Sequence, residues 1–184
     1  MAAKSNLKNM ALSLTLVCLV CSALLGVVYA MTADPIRRAE EAKVNASIAR
    51  VLPEFEGQPA LETVSVDGVE YTYYRVPGTG YAIISTVGGF GGPLTLMVGI
   101  GEDGLVVNTV VLSHSETPGL GAKCTTDLPF IGQFEGWDPA AKKLTVRKDG
   151  GDVDAITAST ITSRAYSKAI SNAVAAYSKL TENE

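Results

Sequence analysis

Cysteine, histidine and charge are all scarce in this 184-residue chain. Of its three cysteines, Cys18 and Cys21 sit in an apolar N-terminal run, which leaves Cys124 alone in the remainder. That excludes a disulfide framework, a cysteine zinc site and an iron–sulfur ligand set in the body of the protein. A single histidine, His114, excludes a His-rich metal centre and leaves any serine- or threonine-dependent hydrolase with one candidate base. Fifteen Lys and Arg against 19 Asp and Glu give a formal charge of -4, so there is no electrostatic case for a nucleic-acid partner. With 47% hydrophobic and 18% charged residues the chain is too apolar for disorder, and its length fits one domain with an appendage.

What is abundant is apolar sequence at the N-terminus. From Met10 to Met31 there are 22 residues without a charge. At about 1.5 Å per residue they make roughly 33 Å of helix, enough for a hydrocarbon core of about 30 Å. Val28-Tyr29-Ala30 has the small-x-small form of a cleavage site, but the run is longer than the roughly 7–15 residues of a signal-peptide core, which favours an uncleaved anchor. Lys4 and Lys8 precede the run and Arg37, Arg38 and Lys43 follow it, nearly a tie in positive charge. The short early basic flank favours an N-terminus in the cytoplasm and a body outside it. The expected organisation is a cytoplasmic N-terminus (1–9), a transmembrane helix held by membrane lipid (10–31), a linker helix opened by Pro35 (32–53) and an extracytoplasmic domain (54–184). Cys18 and Cys21 share a helix face as small packing residues.

The domain reads as α+β with a mainly antiparallel sheet and flanking helices. Candidate strands lie at Val64–Val66, Tyr71–Val76, Tyr81–Val87, Leu94–Ile100 and Leu105–Leu112, with hairpin signals at Asp67-Gly68 and Asp103-Gly104. Another strand is expected at Leu144–Val146. Thr125–Ala141 reads as a short helix or loop, with Trp137 a core or sheet-edge anchor. A final helix runs from Ser159 to Leu180, with Ile161, Ala165, Ala169, Ala173, Tyr177 and Leu180 on one stripe. Gly88-Gly89-Phe90-Gly91-Gly92-Pro93 looks like a phosphate loop, but a strand follows it where a nucleotide fingerprint needs a helix. Four glycines there fit a strand connection, or a place where another backbone or a ligand comes close.

Two stretches carry chemistry. Asp154-Ala155-Ile156-Thr157-Ala158-Ser159-Thr160-Ile161-Thr162-Ser163 places five hydroxyls in seven residues where the final helix begins. They cap a helix, or they flank a helix N-terminus whose free N–H groups and dipole hold a phosphate. His114-Ser115-Glu116-Thr117-Pro118-Gly119-Leu120-Gly121-Ala122-Lys123 follows the longest apolar strand. Thr-Pro-Gly makes it a capped turn, or a turn whose backbone approaches a planar ligand. His114 is read as a satisfied structural residue and Cys124 as a small buried one.

These two stretches resemble a known family. His114-x-Glu116-Thr117-Pro118-Gly119-Leu120-Gly121 is similar to the signature of the FMN-binding domain found in the G subunit of the Rnf complex and in the C subunit of the sodium-pumping NADH:quinone reductase. Asp154-x-x-Thr157-Ala158-Ser159-Thr160 is similar to the attachment motif of that domain, and Gly91-Gly92-Pro93, Val98-Gly99-Ile100, Asp103-Gly104 and the single anchor extend the resemblance over nearly the whole chain. The compact size favours the Rnf member of the pair. The resemblance implies FMN joined to Thr160 through a phosphoester, with Ser159 the less favoured alternative and Thr157 and Asp154 in recognition or positioning. It implies that Leu120 packs on the ring, and that Glu116, Thr117, Gly119, Gly121 and Lys123 surround it. It further implies loading by a flavin transferase, residence in the cell inner membrane, and assembly with other Rnf subunits into a ferredoxin:NAD oxidoreductase that moves sodium ions or protons. One departure stands out: Ala158-Ser159 occupies the place where the family has Gly and then Ala. Ala158 lacks the freedom of Gly at positive φ, and Ser159 sets a second hydroxyl beside Thr160. The competing readings are a membrane-anchored ligand-binding or assembly module without flavin, and a hydrolase that uses His114.

Overall fold

The computed structural model describes residues 7–53 and 59–182. Lys4 in the N-terminal flank, and the first residues of the expected domain at 54–58, lie outside the described residues. The chain divides into two units, Met1–Val44 and Asn45–Glu184.

The first unit is helical throughout its described residues. Helix α1 (Leu7–Val51) starts there and ends in the second unit. None of the residues in its apolar window is buried. Each hydroxyl of Ser or Thr in the uncharged run folds back on a carbonyl three or four residues earlier: Ser13 on Met10, Thr15 on Ala11 and Ser22 on Leu19. A hydroxyl satisfied in this way carries no unmet polar group to its surroundings. The apolar run and the helix expected after Pro35 form one element, since α1 continues through Pro35. Proline removes an N–H and so deprives the Met31 carbonyl of its donor. The loss falls at the end of the uncharged run, three residues before Asp34.

The second unit is built on a five-stranded antiparallel meander in chain order: β1 (Ala60–Val66), β2 (Val69–Val76), β3 (Gly80–Gly88), β4 (Pro93–Gly101) and β5 (Val106–His114). All five expected strands are present, each within a few residues of its expected ends. Asp67 and Gly68 form the two-residue β1–β2 turn with φ of 51° and 80°, between the paired Val66 and Val69. That is the left-handed pair that a tight hairpin needs. Directly across β1 and β2, the Tyr73 hydroxyl donates to the Glu62 carboxylate at 2.5 Å. Burial and this carboxylate push the Tyr73 phenol up to about 12.

Helix α3 (Thr160–Glu182) lies across β1, β3 and β4. Its Ala165, Ala169, Ile170, Ala173 and Ala176 are buried in one core with Tyr81, Ile83, Leu96, Val98 and Ile100. Alanines on the buried stripe let the helix backbone sit close to the sheet. Tyr166 is enclosed by Phe130 and Phe134, at centroid distances of 5.0 and 5.2 Å, and shares a hydrogen bond of 2.8 Å with Thr109. Trp137 is both core and sheet edge: it is 3% exposed, and its carbonyl accepts from Val106 N. A short helix α2 (Leu128–Gly132), capped by Asp127, follows a 3-10 turn over Gly121–Thr125.

No strand forms at Leu144–Val146. Val146 makes a single parallel bridge to Val153, because a 3-10 turn at Arg147–Asp149 and a left-handed Gly150 reverse the chain at once. Arg164 on α3 grips Asp149 of that turn through two nitrogens, at 2.5 and 2.7 Å, and the guanidinium holds this carboxyl below its usual range.

The other face of β4 carries the buried Met97 and Gly99, and the last turn of α1 rests there. A Cβ at Gly99 would collide with the Val51 carbonyl and come within 3.0 Å of the Val51 Cβ. Gly99→Ala is therefore expected to destabilise the folded chain by about 1–3 kcal/mol through overpacking, read as a lower urea midpoint at unchanged m-value.

Candidate functional site

The candidate cleft lies where three segments distant in sequence meet. The β3–β4 glycine connection brings Phe90, the turn after β5 brings Glu116, Thr117, Leu120 and Gly121, and the start of α3 brings Ala158, Ser159, Thr160, Ile161 and Thr162. The cavity measures about 340 Å³, at the lower end of the roughly 300–1,000 Å³ of small-molecule sites.

One buried carboxylate joins the three segments. Glu116 is 5% exposed; its Oε1 accepts from Phe90 N at 2.7 Å and its Oε2 from Thr162 Oγ1 at 2.8 Å. The closeness of these segments depends on missing side chains. A Cβ at Gly89 or at Gly121 would strike a Glu116 carboxylate oxygen. His114 supports the same turn, its Nδ1 accepting from Glu116 N at 3.2 Å. This is the structural role expected of it. It does not line the cleft, so the histidine that the hydrolase reading requires is not placed beside Ser159 or Thr160.

Below Glu116 the chain turns at Thr117–Leu120, with Gly119 at φ 76° and the Thr117 carbonyl accepting from Leu120 N and Ala122 N. The result is a half-exposed Leu120. Phe90 and Ile161 are exposed too, so three large apolar side chains line an open cleft. Such a lining suits a planar aromatic ligand.

The floor at α3 is polar. Ser159 N donates to the Ile156 carbonyl, closing a turn in which Ala158 stands at φ 61°. Ser163 Oγ ties the turn down, accepting from Ile156 N and donating to the Ser159 carbonyl. Among the described residues the amides of Thr160, Ile161 and Thr162 reach no acceptor, and the Thr160 hydroxyl has no partner. Ser159 Oγ is buried without one. Unpaired first-turn amides, two unpaired hydroxyls and the dipole of a 23-residue helix form a setting for a phosphate, beside an apolar slot for a ring. The residues present thus fit an FMN group.

Six of the ten expected site residues line this cleft: Glu116, Thr117, Leu120, Gly121, Ser159 and Thr160. Thr157 and Gly119 shape the turns beside it. Asp154 lies outside the lining, paired with Arg147 at 3.0 Å, while its backbone N and O are held by the Gln133 amide. Lys123 contributes backbone, its carbonyl accepting from Thr126 N and Asp127 N. Sequence reasoning missed Phe90, Ala158, Ile161 and Thr162 as cleft residues. Phe90, an aromatic inside four glycines, was the available signal, since no periodicity there gives it a core to fill. Cys124 is buried as expected, and burial together with the Glu116 carboxylate pushes its thiol up to about 11. No group of three or more His, Cys, Asp or Glu that could hold a metal occurs among the described residues.

The FMN-binding domain family matches residues 89–175, and the RnfG N-terminal region matches residues 1–51. A relative from Clostridium ljungdahlii, the G subunit of the proton-translocating ferredoxin:NAD(+) oxidoreductase complex, is 33% identical over 168 residues, covering 88% of this chain and 86% of the relative. The G subunit of the ion-translocating oxidoreductase complex of Shewanella baltica is 34% identical, covering 88% and 84%. The chain belongs to the RnfG family. A solved structure from Parabacteroides distasonis, the C subunit of Na(+)-translocating NADH-quinone reductase, shares the fold, with a TM-score of 0.52 at 20% identity, covering 75% of this chain and 82% of that one. This RnfG-family chain thus has an α+β FMN-binding domain behind an N-terminal apolar helix.

Two outcomes test this geometry. Ala158→Gly removes the left-handed penalty of a Cβ at φ 61°, partly offset by the looser unfolded chain, and is expected to add about 0.5–1 kcal/mol. Calorimetry of the flavin-free chain should show it. Cys124 has a folded pKa of about 11 against an ordinary 9.0. The folded state therefore keeps its proton where the unfolded state loses it, and stability falls between about pH 9 and 11. Cys124→Ala should flatten that decline in denaturant titrations near pH 9–10, at the lower edge of that window.

Proposed function

We propose that this RnfG-family chain is the electron-relay member of a membrane-bound ferredoxin:NAD oxidoreductase that moves sodium ions or protons, and that it holds FMN through a phosphoester to Thr160. The observation that carries this reading is the Thr160 hydroxyl, unpartnered in the first turn of α3 and lining the same cleft as Phe90, Leu120 and Ile161.

Thr160 supplies the oxygen of the ester bond, and the first-turn amides with the helix dipole stabilise the phosphate charge by about 1 kcal/mol. Ser159 adds a hydroxyl donor beside it. Leu120, Phe90 and Ile161 cover the faces of the ring, while Thr117 holds its polar edge. When bound, FMN supplies reversible electron transfer, which no side chain of this protein offers. Thr157 and Asp154 serve recognition by a flavin transferase, and Gly119 and Lys123 shape and flank the ring turn. Residues 10–31 cross the cell inner membrane, with 1–9 in the cytoplasm, 32–53 as linker and the domain from residue 54 on the extracytoplasmic side. Covalent attachment keeps the flavin on the protein there. The span from Met10 to Met31 contains no charged side chain to conduct an ion. Ion movement and ferredoxin oxidation accordingly belong to the other Rnf subunits.

Co-expressed with a flavin transferase, the chain is expected to show flavin fluorescence on a denaturing gel, absent in Thr160→Ala, with peptide mass spectrometry placing the label on Thr160. An unlabelled chain, beside a family member that the same transferase does load, would transfer the case to a flavin-free binding module.

A further inference from the structure

Among the described residues, Glu116 is the sole ionisable one lining the cleft. It forms no ion pair among the described residues, and both of its oxygens accept hydrogen bonds. A carboxylate in the acceptor-only state satisfies both donors, but neither the Phe90 amide nor the Thr162 hydroxyl neutralises its charge. Cys124 lies close by, its thiol pushed up by burial first and by the Glu116 carboxylate second. A buried, unneutralised charge acts through a low local dielectric over several ångströms.

We infer that Glu116 sets the redox potential of the flavin site, its fixed negative charge opposing the gain of electrons in the cleft. The inference rests on the proposed FMN function. With FMN held in the cleft, the Glu116 carboxylate would destabilise the negative charge gained when a partner protein supplies electrons. The midpoint potential is thereby held low. This suits a relay in an electron path that begins at a ferredoxin oxidised by another subunit, since iron–sulfur ferredoxins reach strongly reducing potentials and a higher-potential site would waste that driving force. The clamp and the charge are separable functions of one side chain. Glutamine keeps the shape, with its carbonyl accepting from Phe90 N and its amide donating to Thr162 Oγ1, and it loses only the charge.

The test is spectroelectrochemical titration of full-length chain in detergent, loaded by co-expressed transferase and followed by flavin absorbance, so that only flavin-bearing molecules are read. Glu116→Gln is expected to raise the midpoint potential above wild type, and Glu116→Asp to keep it near the wild-type value. Because the absorbance reports only loaded protein, a poorly loading Glu116→Gln still yields a potential. An unchanged or lowered potential in Glu116→Gln would overturn the inference while leaving the covalent flavin intact. A wild-type chain that carries no covalent flavin would instead be a failure of the function on which it rests.

Discussion

The hydrogen bonds of Glu116 are the constraint on which the site depends. A carboxylate buried without a cation is costly, and it is tolerable here because each oxygen has its own donor from a different part of the chain. That requirement draws the glycine connection, the turn after β5 and the first turn of α3 into a single cleft. Glycine at positions 89 and 121 follows from the same cause, since any Cβ there meets the carboxylate. The Phe90, Leu120 and Ile161 side chains then converge because their backbones are pinned, although none is buried.

The start of α3 is arranged around a second constraint. The turn from Ile156 to Ser159 must reverse into a helix, which places residue 158 in the left-handed region. Ala158 carries a Cβ there, and the turn persists because Ser163 anchors both Ile156 and Ser159. Local strain of this kind endures where surrounding hydrogen bonds over-determine it. Here it leaves the Ser159 and Thr160 hydroxyls unpaired beside the free amides of the helix, at the point where a phosphate gains most from the dipole.

The two units use opposite solutions to the same polar problem. Along the uncharged run of α1, the Ser and Thr hydroxyls fold onto the backbone of their own helix, so that mainly apolar surface faces outward. In the cleft, hydroxyls and amides are left without partners, which makes the site ready for an anionic ligand. An apolar exterior suits lipid and an unsatisfied polar interior suits binding, and the chain keeps these chemistries in separate segments.

Much of this was legible in the residues alone. Alternating apolar runs with Asp67-Gly68 and Asp103-Gly104 between them determined five antiparallel strands, and the alanine stripe determined α3, because strand and helix periods and hairpin turns are local properties. The motifs around Glu116 and Thr160 likewise marked the two chemical stretches. The supposed strand at Leu144–Val146 failed because Gly150 and its 3-10 turn reverse the chain after one pairing, and α1 ran on through Pro35 at the loss of a single donor. Only the tertiary structure brought Phe90 to the cleft, turned Asp154 away to Arg147, and showed that Glu116 is a buried clamp in the wall of that cleft. Those outcomes depend on donors and acceptors far apart in the chain finding one another, and no local pattern encodes which of them will meet.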